Sequence, residues 1–590
     1  MRARLSLVLL AFLVVGSAAA QRPMAPGSAS VRRCDRFVYM QNGGFKLAGQ
    51  PFPLKSVNYR VEIVGREVAA NAPTVPGAPR VVVEGKALDL FLAPYGSYSP
   101  DNNSWCRDPR EWNAQMRCCD DRTSCAVDLA ADVARVNALG VNSVRLLMDT
   151  FKIRNGVPTF GIGRMPWVWR DFFLDLRDPT HLAAVYLLHK QAVQFLGARG
   201  IRSLALLNGA AYFRDQPTWN AAFTSFAAGL ATTMRDEPWF LGFDFYNEPT
   251  WASGAPAGTK FEIDKKGARD LVRTWTAAVR QAGGNQTALL TIGNAYALTS
   301  VEAWDPAYLP IDFASYHIYP PVPTPAASRA FIERETFYAA LGACAPGGAA
   351  CGGGRMPALI GEYGASVHEV NATTGAVTKA THGDAANQAA YLTAVGARAH
   401  ACGYQGVQWW QHADVHWGDA TQDHFGLWGD FRQVRPGQPV PEPDAMAMRP
   451  AGEALRALDL YKPRAACPAP ADWNAPMFAP GVSGARFRYR GRVFDQHLRA
   501  VPYAMLSARL TGNKDVFFTA HADAKGTYDF KTPRLVERIR ATHFGHETTR
   551  WHIPVPLLPT LIRLKAAAAN DLPAYAPPSR DLEACRDVVY

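Results

Sequence analysis

Past its first twenty residues the chain has no run that approaches the roughly 20 uninterrupted apolar residues a transmembrane helix needs, so no membrane span is expected in the mature protein. No G-x-G-x-x-G turn follows an early strand, which removes the mark of a dinucleotide-binding sheet. The cysteines form no paired C-x-x-C, no His lies among the first cysteine group, and the H-x-x-x-H spacing of His412 and His416 falls in a stretch without helical pattern, so neither a structural zinc nor a catalytic metal is expected. Nothing resembles a nucleic-acid-binding motif. These absences leave a chain expected to work without a cofactor on a small-molecule or polymer substrate, with its oligomeric state open.

What is present begins with 590 residues, room for one large domain and a smaller one. Met1-Arg-Ala-Arg4, the apolar run Leu5 to Val15 and Ser17-Ala-Ala-Ala20 have the basic start, short apolar core and small-residue cleavage site of a secretory signal. Residues 1–20 are therefore expected to be removed, and the protein to be secreted or periplasmic. Ten cysteines, an even number, are compatible with disulfides in such a compartment. Cys106, Cys118, Cys119 and Cys125 crowd one segment, Cys344 and Cys351 flank a Gly/Pro/Ala-rich loop, and Cys467 and Cys585 bracket the C-terminal region; spacing leaves their pairing open. The net charge is +11, and residues 471–590 carry 17 Lys/Arg against 11 Asp/Glu. Such an asymmetry favours acidic surfaces or is a solvated basic face.

Between residues 21 and 464 short apolar runs alternate with helical periodicity. Strand candidates start near positions 54, 143, 202, 242, 288, 313, 358 and 406, nearly all separated by helical patterns; Asp178-Pro179, an N-cap followed by proline at the first helical position, opens one of them. Alternation of this kind demands parallel strands with crossover helices. Eight units predict an α/β fold, a (β/α)8 TIM barrel, over an open doubly wound sheet. A Cys-containing insertion at about 62–121, rich in Pro, Gly and Asn and with little periodicity, interrupts the first unit.

A barrel gathers the C-terminal ends of its strands around one mouth, so the polar residues there can be read as one site. Leu241-Gly-Phe-Asp-Phe-Tyr-Asn-Glu-Pro249 is an apolar strand that stops at proline and leaves Asn247 and Glu248 at its end. Arg145 lies in strand two, Asn208 ends strand three, His317 and Tyr319 end strand six, Glu362 ends strand seven, and Trp409 and Trp410 end strand eight. Two carboxylates at a shared cleft are what glycosidic cleavage needs, one to protonate the departing oxygen and one to attack the anomeric carbon or activate water. Aromatic rings offer flat faces to sugar C–H groups; the adjacent Trp409 and Trp410 must point to opposite sides of their strand, and Trp410 is favoured to face the sugar. The His-rich loop Gln411 to Trp417, with Asp423-His424, reads as an exposed sugar-contacting rim rather than a metal site.

Five motifs in order, Gly140-Val-Asn-Ser-Val-Arg145, Tyr246-Asn-Glu-Pro249, Ser315-Tyr-His-Ile-Tyr-Pro320, Pro357-Ala-Leu-Ile-Gly-Glu-Tyr-Gly364 and Gly406-Val-Gln-Trp-Trp410, resemble those of clan A glycoside hydrolases, most closely family 5, the cellulase and mannanase-like enzymes, over roughly residues 36–462. Arg449 to Arg456 is similar to that family's closing helix. The resemblance implies a retaining hydrolase of β-linked glycan, mannan- or glucan-type, with Glu248 as general acid/base, Glu362 as nucleophile and Asn247 on the substrate's 2-hydroxyl. One departure stands out: where the family commonly has a His near the end of strand three, this chain has Leu206-Leu-Asn-Gly-Ala210. A noncatalytic carbohydrate-binding protein on the same barrel, or a transglycosylase, would share these motifs.

From about residue 465 the composition changes. Cys467-Pro-Ala-Pro470 reads as a linker, and residues 471–590, with short strands at Phe487–Phe494, Met505–Leu510, Val516–His521 and Thr527–Phe530, read as a small β-sandwich-like accessory domain.

Overall fold

The computed structural model describes residues 33–568 except 42, 70, 95–121, 149–150, 166–171, 208–216, 250–262, 283–287, 296–300, 320–324, 343–355, 371–375, 380, 415–423, 430–446, 471–476, 479–485, 512–516, 557 and 567. The signal expectation at 1–20, Asn208, most of the cysteines and the middle of the His-rich loop lie outside them.

Eight strands, β1 (Leu54–Val68), β2 (Ser143–Leu147), β3 (Arg202–Leu206), β4 (Phe240–Asn247), β5 (Leu289–Ala295), β6 (Ala314–Ile318), β7 (Ala358–Tyr363) and β8 (Gly406–Trp409), pair in parallel in chain order, and β8 closes on β1. This is a closed (β/α)8 barrel. Strands β2 and β5 to β8 are buried at every position, as a parallel sheet covered on both faces requires. The outer helices are α1 (Arg122–Ala138), α2 (Pro179–Gly197), α3 (Pro217–Thr233), α4 (Lys265–Gln281), α5 (Pro325–Gly342), α6 (Ala385–Ala401) and α7 (Pro450–Ala457). The Asp178 carboxylate caps α2 by accepting from the Thr180 N–H at 2.7 Å. Between β5 and β6 the described residues make turns in place of a helix.

One end of the barrel is plugged. Leu54, Leu204, Leu241, Leu289 and Leu359, at or near the starts of their strands, cluster with Phe313 and with Val38 and Phe45 of the N-terminal hairpin. With the N-terminal end filled by aliphatic packing, the mouth available to a ligand is the C-terminal one.

The segment read as an aperiodic insertion is partly a sheet. Strand β1 runs through Val68, well past the barrel, and pairs antiparallel with Lys86–Pro94, which pairs with Arg80–Val83. Val157–Met165 joins β1 on its other side and carries Phe151–Arg154 and Phe172–Asp175. Alternating Leu88 and Leu90 enter the main core. The period-2 signal is present there, between stretches rich in turn-forming residues.

The C-terminal region is a two-sheet sandwich. β9 (Phe487–Phe494), β12 (Thr527–Thr532) and β14 (Pro559–Arg563) form one sheet; β10 (Met505–Leu510), β11 (Phe517–His521), β13 (Val536–Thr542) and the short Met477–Phe478 form the other. Tyr489, Val493, Leu506, Ile539 and Ile562 fill the space between them. The sandwich is bonded to the barrel. Glu302 accepts from Arg540 and Ser507, and Lys265 donates to Asp305 at 2.9 Å and to the His543 carbonyl at 2.9 Å. The linker is held as well, by a Cys402–Cys467 disulfide and by the Arg398 guanidinium, which donates to the Pro468 carbonyl at 2.6 Å. No helix among the described residues is long and apolar enough to cross a membrane.

Candidate active site

The mouth is organised by one buried cation. Arg145 on β2 is fully buried, and four groups from three other strands share its guanidinium. Its Nε donates to Asp244 Oδ2 at 2.8 Å, its Nη1 to Asn58 Oδ1 at 3.0 Å and to Glu362 Oε1, and its Nη2 to Asn247 Oδ1 at 2.8 Å. Burial works against its charge, but Asp244 and Glu362 more than offset that, and its pKa lies above the ordinary value. A planar fork with fixed N–H directions can hold four partners in register; a lysine could not.

Glu362, next to last in β7, therefore has one oxygen on Arg145, and its other oxygen accepts from the Tyr319 hydroxyl at 2.6 Å. The two bonds fix the orientation of the Glu362 carboxyl group. Burial pushes the Tyr319 hydroxyl well above its usual value, with the Glu362 and Glu248 charges adding to the effect, so Tyr319 remains a donor.

Glu248 follows the last residue of β4. The β4–β5 register shifts between Asp244 and Asn247, the Glu248 N–H donates to the Gly293 carbonyl at 2.6 Å, and Glu248 itself has φ 48°. A non-glycine residue held there costs about 1–3 kcal/mol, a strain that the surrounding bonds must sustain. Its side chain is 24% exposed, so it reaches the mouth. Burial raises its pKa to about 7 against the downward pull of Arg145. Of the two settings that could keep an acid protonated, dry or negative, it is the dry one that acts here.

His317 on β6 links the two carboxylates. Its Nδ1 lies 2.7 Å from Glu248 Oε1 and 3.5 Å from Glu362 Oε2. Burial lowers its pKa to about 4, opposed by Glu362, so the ring is neutral. Its Nε2 is buried without a partner. A bare lone pair costs less there than an orphaned N–H, which assigns the proton to Nδ1, donating to Glu248 Oε1 and leaving Oε2 free to carry the transferable proton.

Two glycines make this packing possible. A Cβ at Gly293 would stand 2.8 Å from Arg145 Nη2, Asp244 Oδ2 and His317 Nε2; one at Gly361 would stand 2.1 Å from Ser315 Oγ. An oxygen of each glutamate and a ring nitrogen of His317 lie within 4.8 Å of one another. Such a trio could grip a cation, but the Arg145 guanidinium already bonded to Glu362 repels one.

Of the residues expected at the mouth, Arg145, Asn247, Glu248, His317, Tyr319 and Glu362 form one bonded set. Trp410 sits beside it with Leu147, Leu206, Phe425 and Tyr319. Trp409, the less favoured of the two tryptophans named as sugar contacts, is not at the mouth. It is 0% exposed, packs against Tyr363 and Tyr391, and donates its indole N–H to the Phe425 carbonyl at 2.9 Å, so it belongs to the barrel wall and presents no face to a ligand. The rim reading of the His-rich loop is also corrected at both described histidines. His412 and His424 are buried, 3.0 Å from Asp132 and 3.4 Å from Asp414. Arg449, ahead of α7, clamps Asp414 with two bonds of 2.7 and 2.6 Å. Sequence reasoning missed Asp244 and Asn58. Asp244 is the lone charge inside an apolar strand, and that was the available signal.

The fold and mouth define a (β/α)8 barrel with paired glutamates at its C-terminal end. No family model matches the chain, and no curated protein matches it. Solved structures similar to it include a GH5_18 protein from Streptomyces cattleya in complex with Manb1-4GlcNAc, at 19% identity, covering 71% of this chain and 85% of that one, TM-score 0.41. Others are the exo-beta-1,4-mannosidase Op5Man5 from Opitutaceae bacterium strain TAV5 (15% identity, 65% and 61% covered, TM-score 0.39) and beta-glucuronidase 2 of Bacteroides uniformis (11%, 90% and 48%, TM-score 0.39). The barrel assignment rests on the chain's own closed strand order.

Proposed function

We propose that this protein is an exported retaining glycoside hydrolase that cleaves a β-linked glycan of mannan or glucan type through a covalent glycosyl-enzyme. The observation that carries the reading is the approach of Glu248 and Glu362 oxygens to within 4.8 Å at the open end of the barrel. Retaining pairs stand roughly 5–5.5 Å apart, whereas inverting pairs need about 6.5–9.5 Å to admit a water.

Glu362, held by Arg145 and Tyr319, attacks the anomeric carbon as the glycosidic C–O bond breaks, and Glu248 gives its proton to the departing oxygen. Asn247, whose Oδ1 accepts from Arg145, bonds the sugar's 2-hydroxyl in this reading. Glu248 must then become a base, and the charge balance at Arg145 supplies the change. Once Glu362 is esterified its negative charge is lost, Arg145 is balanced by Asp244 alone, and its pull on Glu248 grows. The Glu248 pKa falls, and the carboxylate takes a proton from the incoming water.

Purified protein assayed on mannan, cellulose, xylan and mixed-linkage glucan is expected to release reducing sugar from at least one of them. Glu362→Ala is expected to reduce that release by about 10^4-fold or more while glycan binding persists. Unchanged turnover in Glu362→Ala would refute the assignment; binding by the unaltered protein without cleavage of any glycan would point to a carbohydrate-binding role instead.

A further inference from the structure

The basic excess of the last 120 residues plays no part in the barrel site, and the sandwich gathers much of it on one face. Along β9, Arg488, Arg490 and Arg492 are exposed and alternate with buried Tyr489, Gly491 and Val493, so all three point away from the sandwich core. Strand register sets further residues beside them. Lys531 of β12 is opposite Arg488, and Leu561 of β14 is opposite Arg492, with exposed Arg563 two positions on. Asp529, bonded to Arg488, is the one carboxylate among these positions. The face is therefore strongly cationic.

The same strand brings exposed aliphatics. Leu561 is 62% and Leu558 59% exposed, and the segment leading into β14 adds Ile553 at 80% and Val555 at 49%. Four of the ten large hydrophobic residues exposed among the described residues thus fall within nine consecutive positions. Water-exposed leucine beside arginines matches a bilayer surface, where aliphatic side chains enter the acyl boundary and guanidinium groups pair with lipid phosphates. A glycan would call for several flat rings, and the outward positions of β9, β12 and β14 hold one, the part-buried Phe494, with neither Trp nor Tyr.

We propose that the outward face of β9, β12 and β14, with the Leu558–Leu561 edge, is a peripheral docking surface for an anionic lipid bilayer. It would hold the barrel at a membrane surface. The inference stands independently of the glycosidase reading, because it uses no residue of the mouth.

The test is sedimentation of the full chain with vesicles of phosphatidylcholine alone or with about one-third phosphatidylglycerol, at low and high salt. Binding is expected to be at least tenfold tighter to the anionic vesicles and to weaken as salt rises. The Arg490→Glu/Arg492→Glu variant is expected to abolish it, and Leu558→Ser/Leu561→Ser to weaken it severalfold at fixed salt; unchanged thermal unfolding shows that each variant is folded. Equal binding to both vesicle types, absence of binding, or a leucine variant that binds as the parent does would overturn the proposal. So would retention on polygalacturonate without vesicle binding, which would make the partner an acidic polymer.

Discussion

Asp244 shows how far the chemistry depends on a residue that touches no substrate. It balances Arg145 and accepts from the Gly293 N–H at 2.8 Å, so it positions the guanidinium that in turn orients Glu362 and Asn247. With Glu248 raised to about 7, kcat/KM is expected to fall as pH rises through about 7, because the acid then loses the proton it must donate. Asp244→Asn removes a negative charge beside Arg145, strengthens the pull of Arg145 on Glu248 and is expected to move that alkaline limb to lower pH. A pH profile of kcat/KM for the two proteins checks this; an unmoved limb would show that Arg145 does not set the acid's pKa. Glu248 and Glu362 were legible in sequence because each ends an apolar strand at a barrel mouth. Asp244 and Asn58 were not picked out: Asp244 stands out as the lone charge of its strand, but nothing in the sequence shows that it or Asn58 turns inward to a buried guanidinium.

The strands put these side chains together only where neighbouring backbone comes unusually close. Gly293 on β5 lies against Arg145, Asp244 and His317, and any Cβ there must displace at least one of them. Gly293→Ala is expected to cost about 100-fold in kcat, the penalty for moving reacting groups by roughly an ångström, with a smaller effect on KM. Steady-state kinetics separates the two; a kcat within threefold of the parent would mean that the site tolerates the displacement. Element positions were readable to within a few residues wherever the period was clear, as in the alternating β9 and the helical α6. The extension of β1 to Val68 was not, since the period-2 runs of its partner strands are short and set among turn-forming residues, which hide the pairing across such gaps. β13 and β14 were missed for a related reason. Each carries its charges outward on a strand whose buried face is short.

At the scale of the whole molecule, barrel and sandwich are tied by the part-exposed Arg540–Glu302 pair and by the Lys265 bond to the His543 carbonyl, and the linker between them is held to the barrel by the Cys402–Cys467 disulfide, which closes a loop of 65 residues. Loop-closure entropy gives such a cross-link about 4 kcal/mol, so Cys402→Ala/Cys467→Ala is expected to lower the midpoint of denaturant unfolding measurably. Equal midpoints for parent and variant would show that the bond adds no constraint to the folded linker. The eight-strand count carried the overall architecture, because the alternation of strands and helices leaves few topologies open. The docking of the sandwich against α4 and the β5–β6 turns was not legible, since nothing in the sequence pairs Glu302 with Arg540 or Lys265 with His543. The account of the molecule as an enzyme turns on the two glutamates acting by double displacement. The most direct test is the anomeric configuration of the first sugar released, followed by proton NMR within the first minutes of hydrolysis of a β-linked substrate. The account predicts that the β-anomer appears first and the α-anomer only later, by mutarotation; initial release of the α-anomer would contradict it.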